Sequence, residues 1–153
     1  MISTSHQASE LLNQSCDKTL YKDFCKEALG SAPASDMQSL TKSALDIASL
    51  SANEVLKLIP KLLETSSDAS VKQALTDCSE VYQSALDQIK KSTAAVDAKA
   101  YNDVNTWISA GMTSSETCEE GFNGVTSPLT SVNTRFSQIS SIILTFSNLS
   151  AKN

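Results

Sequence analysis

The chain is predicted to be all-α, an antiparallel up-down-up-down four-helix bundle carrying an N-terminal disulfide-clasped helical hairpin. Three observations carry that prediction. Apolar residues recur at spacings of three and four along most of the sequence, the period of a helix with one buried face. Only four Gly and three Pro punctuate 153 residues, and no strand-like alternation competes. The links between periodic segments are short, which makes successive helices antiparallel neighbours.

The elements follow in order. ASELLNQSC and LYKDFCKEAL are two short pieces separated by Asp17-Lys18-Thr19, neither long enough to be a stable helix alone in water. They predict a hairpin over about 8–33. Gly30-Ser31-Ala32-Pro33-Ala34 breaks the pattern, and Ser35 or Asp36 is placed to cap the next helix. That first bundle helix, about 36–65, carries Leu40, Ala44, Ile47, Ser51, Val55, Leu58 and Leu62 on one stripe. Pro60 falls inside it and predicts a kink, or two helices meeting there. Ser66-Ser67-Asp68 leads into a second helix, about 69–93, with Val71, Leu75, Cys78, Tyr82, Leu86 and Ile89 on its stripe.

The stretch from Ala98 to Phe122 predicts the third helix. Its stripe is Tyr101, Val104, Ile108, Gly111, Ser115, Cys118 and Phe122, and Trp107 borders it at the core edge. Tyr82 and Tyr101 are expected in the core with their hydroxyls at the rim. Asn123-Gly124-Val125 supplies a left-handed stop. Ser127 and Pro128 then read as cap and first residue of the last helix, whose core face is Leu129, Val132, Phe136, Ile139, Ile143 and Phe146. The bundle spans about 35–150, and the whole chain, 1–153, reads as a single domain.

Composition excludes several functions. The net charge of -5 and the lack of a Lys/Arg cluster argue against nucleic acid. No apolar run reaches the length of a membrane span, and a mean hydropathy of -0.14 fits a soluble protein. Neither nucleic acid nor membrane is therefore an expected partner. MISTSHQASE lacks a hydrophobic signal core, which fits a mature secreted chain carrying a start-codon remnant.

Four cysteines in such a chain favour an oxidising compartment over free thiols. Three pairings are possible. Cys16–Cys25 would clasp the hairpin, restraining the unfolded chain by about 2–3 kcal/mol in the loop-entropy model. Cys78 and Cys118 lie on the apolar stripes of neighbouring helices, so this sequential pairing costs least in the predicted geometry. A metal site is not expected, because there is no CxxC and His6, in an unordered tail, is the only histidine. Asn13-Gln14-Ser15 and Asn148-Leu149-Ser150 are glycosylation sequons at Asn13 and Asn148.

The inventory does not support an enzyme. Ser-His and Cys-His catalysis lack a base. No Gly-rich phosphate loop or nucleophile elbow is present, and no cofactor is implied. Glu119 and Glu120 are helix neighbours whose side chains diverge, a solvated acidic end. The outer face of the third helix is different. Asn102, Asn105, Thr106, Ser109, Thr113 and Glu116 are mostly short and uncharged, so they lose little rotamer entropy on burial and allow close approach. That suits a docking surface. A non-inhibitory secreted binding module or small-ligand carrier would use the same scaffold around an apolar cavity.

Five segments taken together resemble the plant invertase/pectin methylesterase inhibitors over nearly the whole chain. They are the Cys16…DFCKEAL hairpin, LTKSALDIASLSANEVLKLI, ALTDCSEVYQSALDQI, YNDVNTWISAGMTSSETCEEGF and SIILTFSNL. The resemblance implies a secreted bundle in the apoplast or cell wall, or in the vacuole. It also implies disulfides paired first-second and third-fourth, and inhibition by docking on a carbohydrate-active enzyme. Invertase inhibitors resemble one another in a Pro-Lys-Phe segment opening the third bundle helix. Here Asp97-Ala98-Lys99-Ala100-Tyr101 keeps a Lys and an aromatic without the Pro.

Pectin methylesterase inhibitors have a Tyr-led helix with small polar residues before the cysteine, as in Tyr101–Thr113. Many carry a fifth cysteine where Ser140 stands here. Some pollen allergens also look like this family. The resemblance therefore favours pectin methylesterase as partner, with acid invertase as the alternative, and Lys99, Tyr101, Asn102, Asn105, Thr106, Ser109, Thr113 and Glu116 as the contact. Carboxylates at Asp97, Asp103 or Glu116 within that contact would make association pH-sensitive. A monomer or a dimer formed by exchange of the hairpin is expected.

Removing the Cys78–Cys118 link, which closes about 40 residues, should cost about 4 kcal/mol. Thermal unfolding of the Cys78→Ser/Cys118→Ser variant checks this; an unchanged melting temperature would show that the two sulfurs are not paired.

Overall fold

The computed structural model describes residues 4–32 and 34–152, with side chains from Glu10 onward. Among the described residues every regular element is a helix: α1 (Thr4–Asp17), α2 (Lys22–Leu29), α3 (Met37–Thr65), α4 (Ala69–Asp97), α5 (Tyr101–Glu120) and α6 (Thr130–Ala151). The first two form the hairpin and the other four the bundle. Each of α3, α4 and α5 packs on its successor, and α6 closes the ring against α3. Contacts fix the directions. Gln38 at the start of α3 donates to the Val96 carbonyl at the end of α4, 3.2 Å. The hydroxyl oxygens of Thr41 and Ser150, at opposite ends of α3 and α6, lie 3.2 Å apart. Ser147, late in α6, donates to the Tyr101 carbonyl at the start of α5, 3.2 Å. The order is up-down-up-down.

Local chemistry starts and stops these helices. Asp36 caps α3 by accepting from the Ser39 amide (2.8 Å), while Ser39 Oγ accepts from the Asp36 amide (3.2 Å), a reciprocal box. Asp68 caps α4 through the Ser70 and Val71 amides at 2.8 and 3.3 Å. After α5, Asn123 and Gly124 both have positive φ, 47° and 84°, and the Val125 amide donates to the Phe122 carbonyl, 3.0 Å. Asn-Gly is the pair that tolerates two left-handed residues in succession.

Several expectations are corrected. α3 runs unbroken through Pro60, which lies on the exposed side, where water can hydrate the carbonyl left without its donor. The helix does not divide there. α4 extends to Asp97, about a turn beyond 93, because Ala95 and Val96 are buried. α6 begins at Thr130 rather than Pro128. Ser127 does cap, accepting from the Leu129 amide at 3.0 Å, but Pro128 and Leu129 form a turn before the helix. His6 falls within α1 instead of a tail, and its side chain lies outside the described ones. In α3 the deep stripe includes Leu45, Ala48, Ala52 and Ile59, while Ile47, Leu58 and Leu62 are half-buried.

The hairpin is closed by Cys16–Cys25, with Cα atoms 5.5 Å apart, and Leu12, Cys16, Cys25 and Leu29 are buried. Lys26 also pairs with Asp17 across it at 2.7 Å. The Lys26 hydrogen bond holds the Asp17 carboxyl below its ordinary value, so this exposed link is present at neutral pH and is lost as pH falls through the folded value. Hydroxyl back-bonding lets a Ser-rich chain bury its stripes. Thr41, Ser92, Ser140 and Ser150 each donate to the carbonyl one turn earlier at 2.7–2.8 Å, which satisfies a polar group inside the bundle.

The α4–α5 pair is the most extensive contact in the molecule, and Cys78–Cys118 bridges it with Cα atoms only 4.7 Å apart. Gly111 of α5 is buried in this contact. A Cβ there would meet Phe136 and Gln88 at 3.8 Å and Ala85 at 3.9 Å, ordinary van der Waals distances. Glycine inside a helix costs roughly 0.5–1 kcal/mol relative to alanine. Gly111→Ala should therefore raise stability by about that amount in urea unfolding; a loss would show that α4 and α5 need the extra space.

Candidate functional site

α5 begins at a corner of unusual geometry. The Ala100 amide donates to the Ala95 carbonyl (2.8 Å) and the Lys99 amide to the Val96 carbonyl (3.0 Å). These are the two bonds of a Schellman stop, with Lys99 in the left-handed position normally taken by glycine, φ 58°. Lys99 and Ala98 thus lie outside the helix that the sequence pattern predicts from 98. The corner exposes Lys99 beside half-buried Tyr101, and with the start of α3 and Ser150 they line a depression of about 170 Å³. Lys42 braces it from α3 by an ion pair to Asp97, 2.7 Å.

From this corner Asn102, Thr106, Ser109, Thr113 and Glu116 run along one exposed face of α5, a span of roughly 21 Å at 1.5 Å per residue. Thr106 and Thr113 donate to the carbonyls of Asn102 and Ser109, both at 3.1 Å, which fixes their rotamers before any partner arrives. α5 contains Asp103, Glu116, Glu119 and Glu120 but no Lys or Arg, so the face is polar, weakly anionic and preorganised. Asn105 differs from the others. It is half-buried, its amide donates to Asn148 Oδ1 at 3.0 Å, and its own Oδ1 is buried without a partner. That places the Asn148 sequon, on exposed α6 surface, at the edge of this face. Asn13 is exposed on α1, far along the chain from it. Trp107 is half-buried against the core.

Behind the C-terminal part of the face lies a polar cluster that sequence reasoning missed. Tyr82 is fully buried, so its hydroxyl does not reach the rim; it donates to Asn133 Oδ1 at 2.6 Å. Asn133 in turn donates to Glu119 Oε2, 2.7 Å, and approaches Cys118 Sγ at 3.4 Å. Thr130 bonds the other Glu119 oxygen. The Tyr82 ring meets Phe136 edge-on, centroids 5.2 Å apart. The available signal was the spacing Leu129, Asn133, Phe136, which puts Asn133 on the core face that Val132, half-buried, was expected to share. Ser140, also on that face, is buried and bonded within its own helix.

Among the described residues no group of His, Cys, Asp and Glu is arranged to hold a metal ion, and no helix is long and apolar enough to cross a membrane.

The family model described as plant invertase/pectin methylesterase inhibitor matches residues 10–146. A pectinesterase inhibitor of Actinidia deliciosa is 30% identical over 92% of this chain and 80% of its own length. A Platanus orientalis protein provisionally named as an invertase inhibitor is 28% identical over 93% of this chain and 91% of its own length. Among solved structures, a mutant form of a pectin methylesterase inhibitor from Arabidopsis superposes with TM-score 0.78 at 25% identity. It covers 88% of this chain, and this chain covers 93% of it.

Tyr82→Phe removes the donor to Asn133 Oδ1 in a dry site and should cost about 1–3 kcal/mol. Burial first, and then the Glu119 charge, raise the Tyr82 pKa. The unfolded chain therefore releases this proton before the folded one. Stability is full below about pH 10 and falls as pH rises above it. Urea unfolding at about pH 8 and about pH 11 should show a smaller alkaline loss for the variant; an equal loss would place the titration elsewhere.

Proposed function

The chain belongs to the plant invertase/pectin methylesterase inhibitor family, and on that premise we propose that it inhibits pectin methylesterase by laying α5 across the enzyme's substrate cleft. The family and the two relatives above are named as inhibitors. The observation that carries the docking assignment is the exposed Asn102–Glu116 face, on which Thr106 and Thr113 are held by their own helix. Such a face loses little conformational entropy on burial and lets a partner's backbone come close. Lys99 and Tyr101 extend the contact from the corner, and Asn105 supports it from the edge while bonded to Asn148.

Acid invertase is the second reading. It is favoured by the Lys99–Tyr101 corner, where a cation and an aromatic ring project together at the start of α5. The whole chain acts as one inhibitor domain, as a monomer or a hairpin-exchanged dimer. Two disulfides fit an oxidising environment, so the protein works in the apoplast or cell wall, or in the vacuole, with Asn13 and Asn148 open to glycosylation.

Titrating the purified protein against pectin methylesterase and acid invertase tests the assignment, and inhibition of neither would overturn it. Replacing Thr106 and Ser109 together by Arg should weaken inhibition by about tenfold or more, at least 1.4 kcal/mol of binding. The melting temperature should stay unchanged, since both side chains are exposed.

A further inference from the structure

A cleft of about 210 Å³ opens between the C-terminal half of α5 and the N-terminal half of α6, with the α1–α2 turn at its rim. Tyr21 enters from that turn, Glu116 from α5, and Thr134, Ser137 and Gln138 from α6. Among the described residues none of these five side chains has a hydrogen-bond or ion-pair partner within the chain. Elsewhere in the bundle many helical hydroxyls, among them those of Ser92, Thr93, Ser140 and Ser150, donate to the carbonyl one turn back. Thr134 and Ser137 leave that option unused. Glu119 completes the wall and is held still by Asn133 and Thr130, one bond to each oxygen. Each oxygen keeps a further lone pair for an incoming donor.

The free groups are hydroxyls, a primary amide and carboxylates beside an aromatic ring, and no Lys or Arg lines the cleft. An anionic ligand would meet two carboxylates with no compensating cation. A cation would pair with the carboxylates but leave the α6 hydroxyls and amide unmatched. A neutral polyol uses the whole set. It donates to the carboxylates, accepts from the Gln138 amide and the two hydroxyls, and rests an apolar face on Tyr21. The volume is below the roughly 300–1,000 Å³ of drug-sized ligand sites, which limits the occupant to one small ring. We propose that this cleft, which shares Glu116 with the C-terminal end of the α5 face, binds a single neutral sugar ring.

The test is an amide NMR titration of the full oxidised chain with methyl α-glucopyranoside, methyl α-galactopyranoside, galacturonate at neutral pH, and arginine. Either neutral glycoside should give saturable shifts at Tyr21 and along 134–138, with a millimolar Kd fitting so few contact atoms. Galacturonate and arginine should bind at least about fivefold more weakly, the equivalent of one hydrogen bond. Gln138→Ala should weaken glycoside binding by a similar factor, and Thr134→Val supplies the same test should the first variant unfold. Glu116→Gln should narrow the preference for neutral sugar over galacturonate. Absence of saturable shifts with both glycosides, equal or tighter binding of galacturonate or arginine, or unchanged binding by the α6 variants would overturn the proposal. No target enzyme enters the measurement, so it stands or falls apart from the inhibition assay.

Discussion

The close pairing of α4 with α5 is the constraint on which the rest of the structure depends. Cys78 and Cys118 join the two helices, and Gly111 brings α5 near Ala85 on the same side. α6 then packs against this pair through Phe136 and Asn133, and Asn133 ties together Tyr82 of α4 and Glu119 of α5. Three helices therefore meet around one disulfide and one buried amide. A buried polar network of this kind is stable only when every member has a partner, and here each one does. The exposed face of α5 inherits its rigidity from this arrangement, because the opposite side of the same helix is fully committed to the core.

A Ser- and Thr-rich bundle faces a general difficulty, since each buried hydroxyl costs free energy unless it is bonded. The chain resolves it mostly within single helices, by donation to the carbonyl one turn back. That solution needs no partner helix and so does not disturb the apolar stripes. On the outer side of α5 the same bonding at Thr106 and Thr113 leaves short, fixed side chains and a closely approachable backbone. A common composition thus serves packing inside and recognition outside. In the α5–α6 cleft the hydroxyls of Thr134 and Ser137 are left free of such bonds.

The corner between α4 and α5 shows how a local cost can be sustained by its surroundings. Left-handed backbone at a residue other than Gly costs roughly 1–2 kcal/mol. Lys99 adopts it because two main-chain bonds close the Schellman stop, with Gln38 and Lys42 of α3 bracing Val96 and Asp97. The result is a lysine and a tyrosine projected at one end of a polar face, a geometry a regular helix from 98 would not produce.

The sequence by itself determined the class of fold, the number of bundle helices, capping segments at Ser35-Asp36 and Ser66-Ser67-Asp68, the Asn123-Gly124 stop and the apolar stripe of α5. All of these follow from spacing and from local chemistry between residues a few positions apart. The sequential disulfide pairing was the least costly of three because Cys16 and Cys25 flank a short hairpin turn and Cys78 and Cys118 lie on the apolar stripes of neighbouring helices. Tertiary structure alone decided that α3 passes through Pro60, that α6 starts after Leu129, that the Tyr82 hydroxyl turns inward, and that Asn133 joins three helices. It also withdrew Asn105 from the free face by bonding it to Asn148. The physical reason is the same in each case. Periodicity reports which side of a helix avoids water, but not which group on another helix lies opposite, and a buried polar side chain is decided by that opposite group.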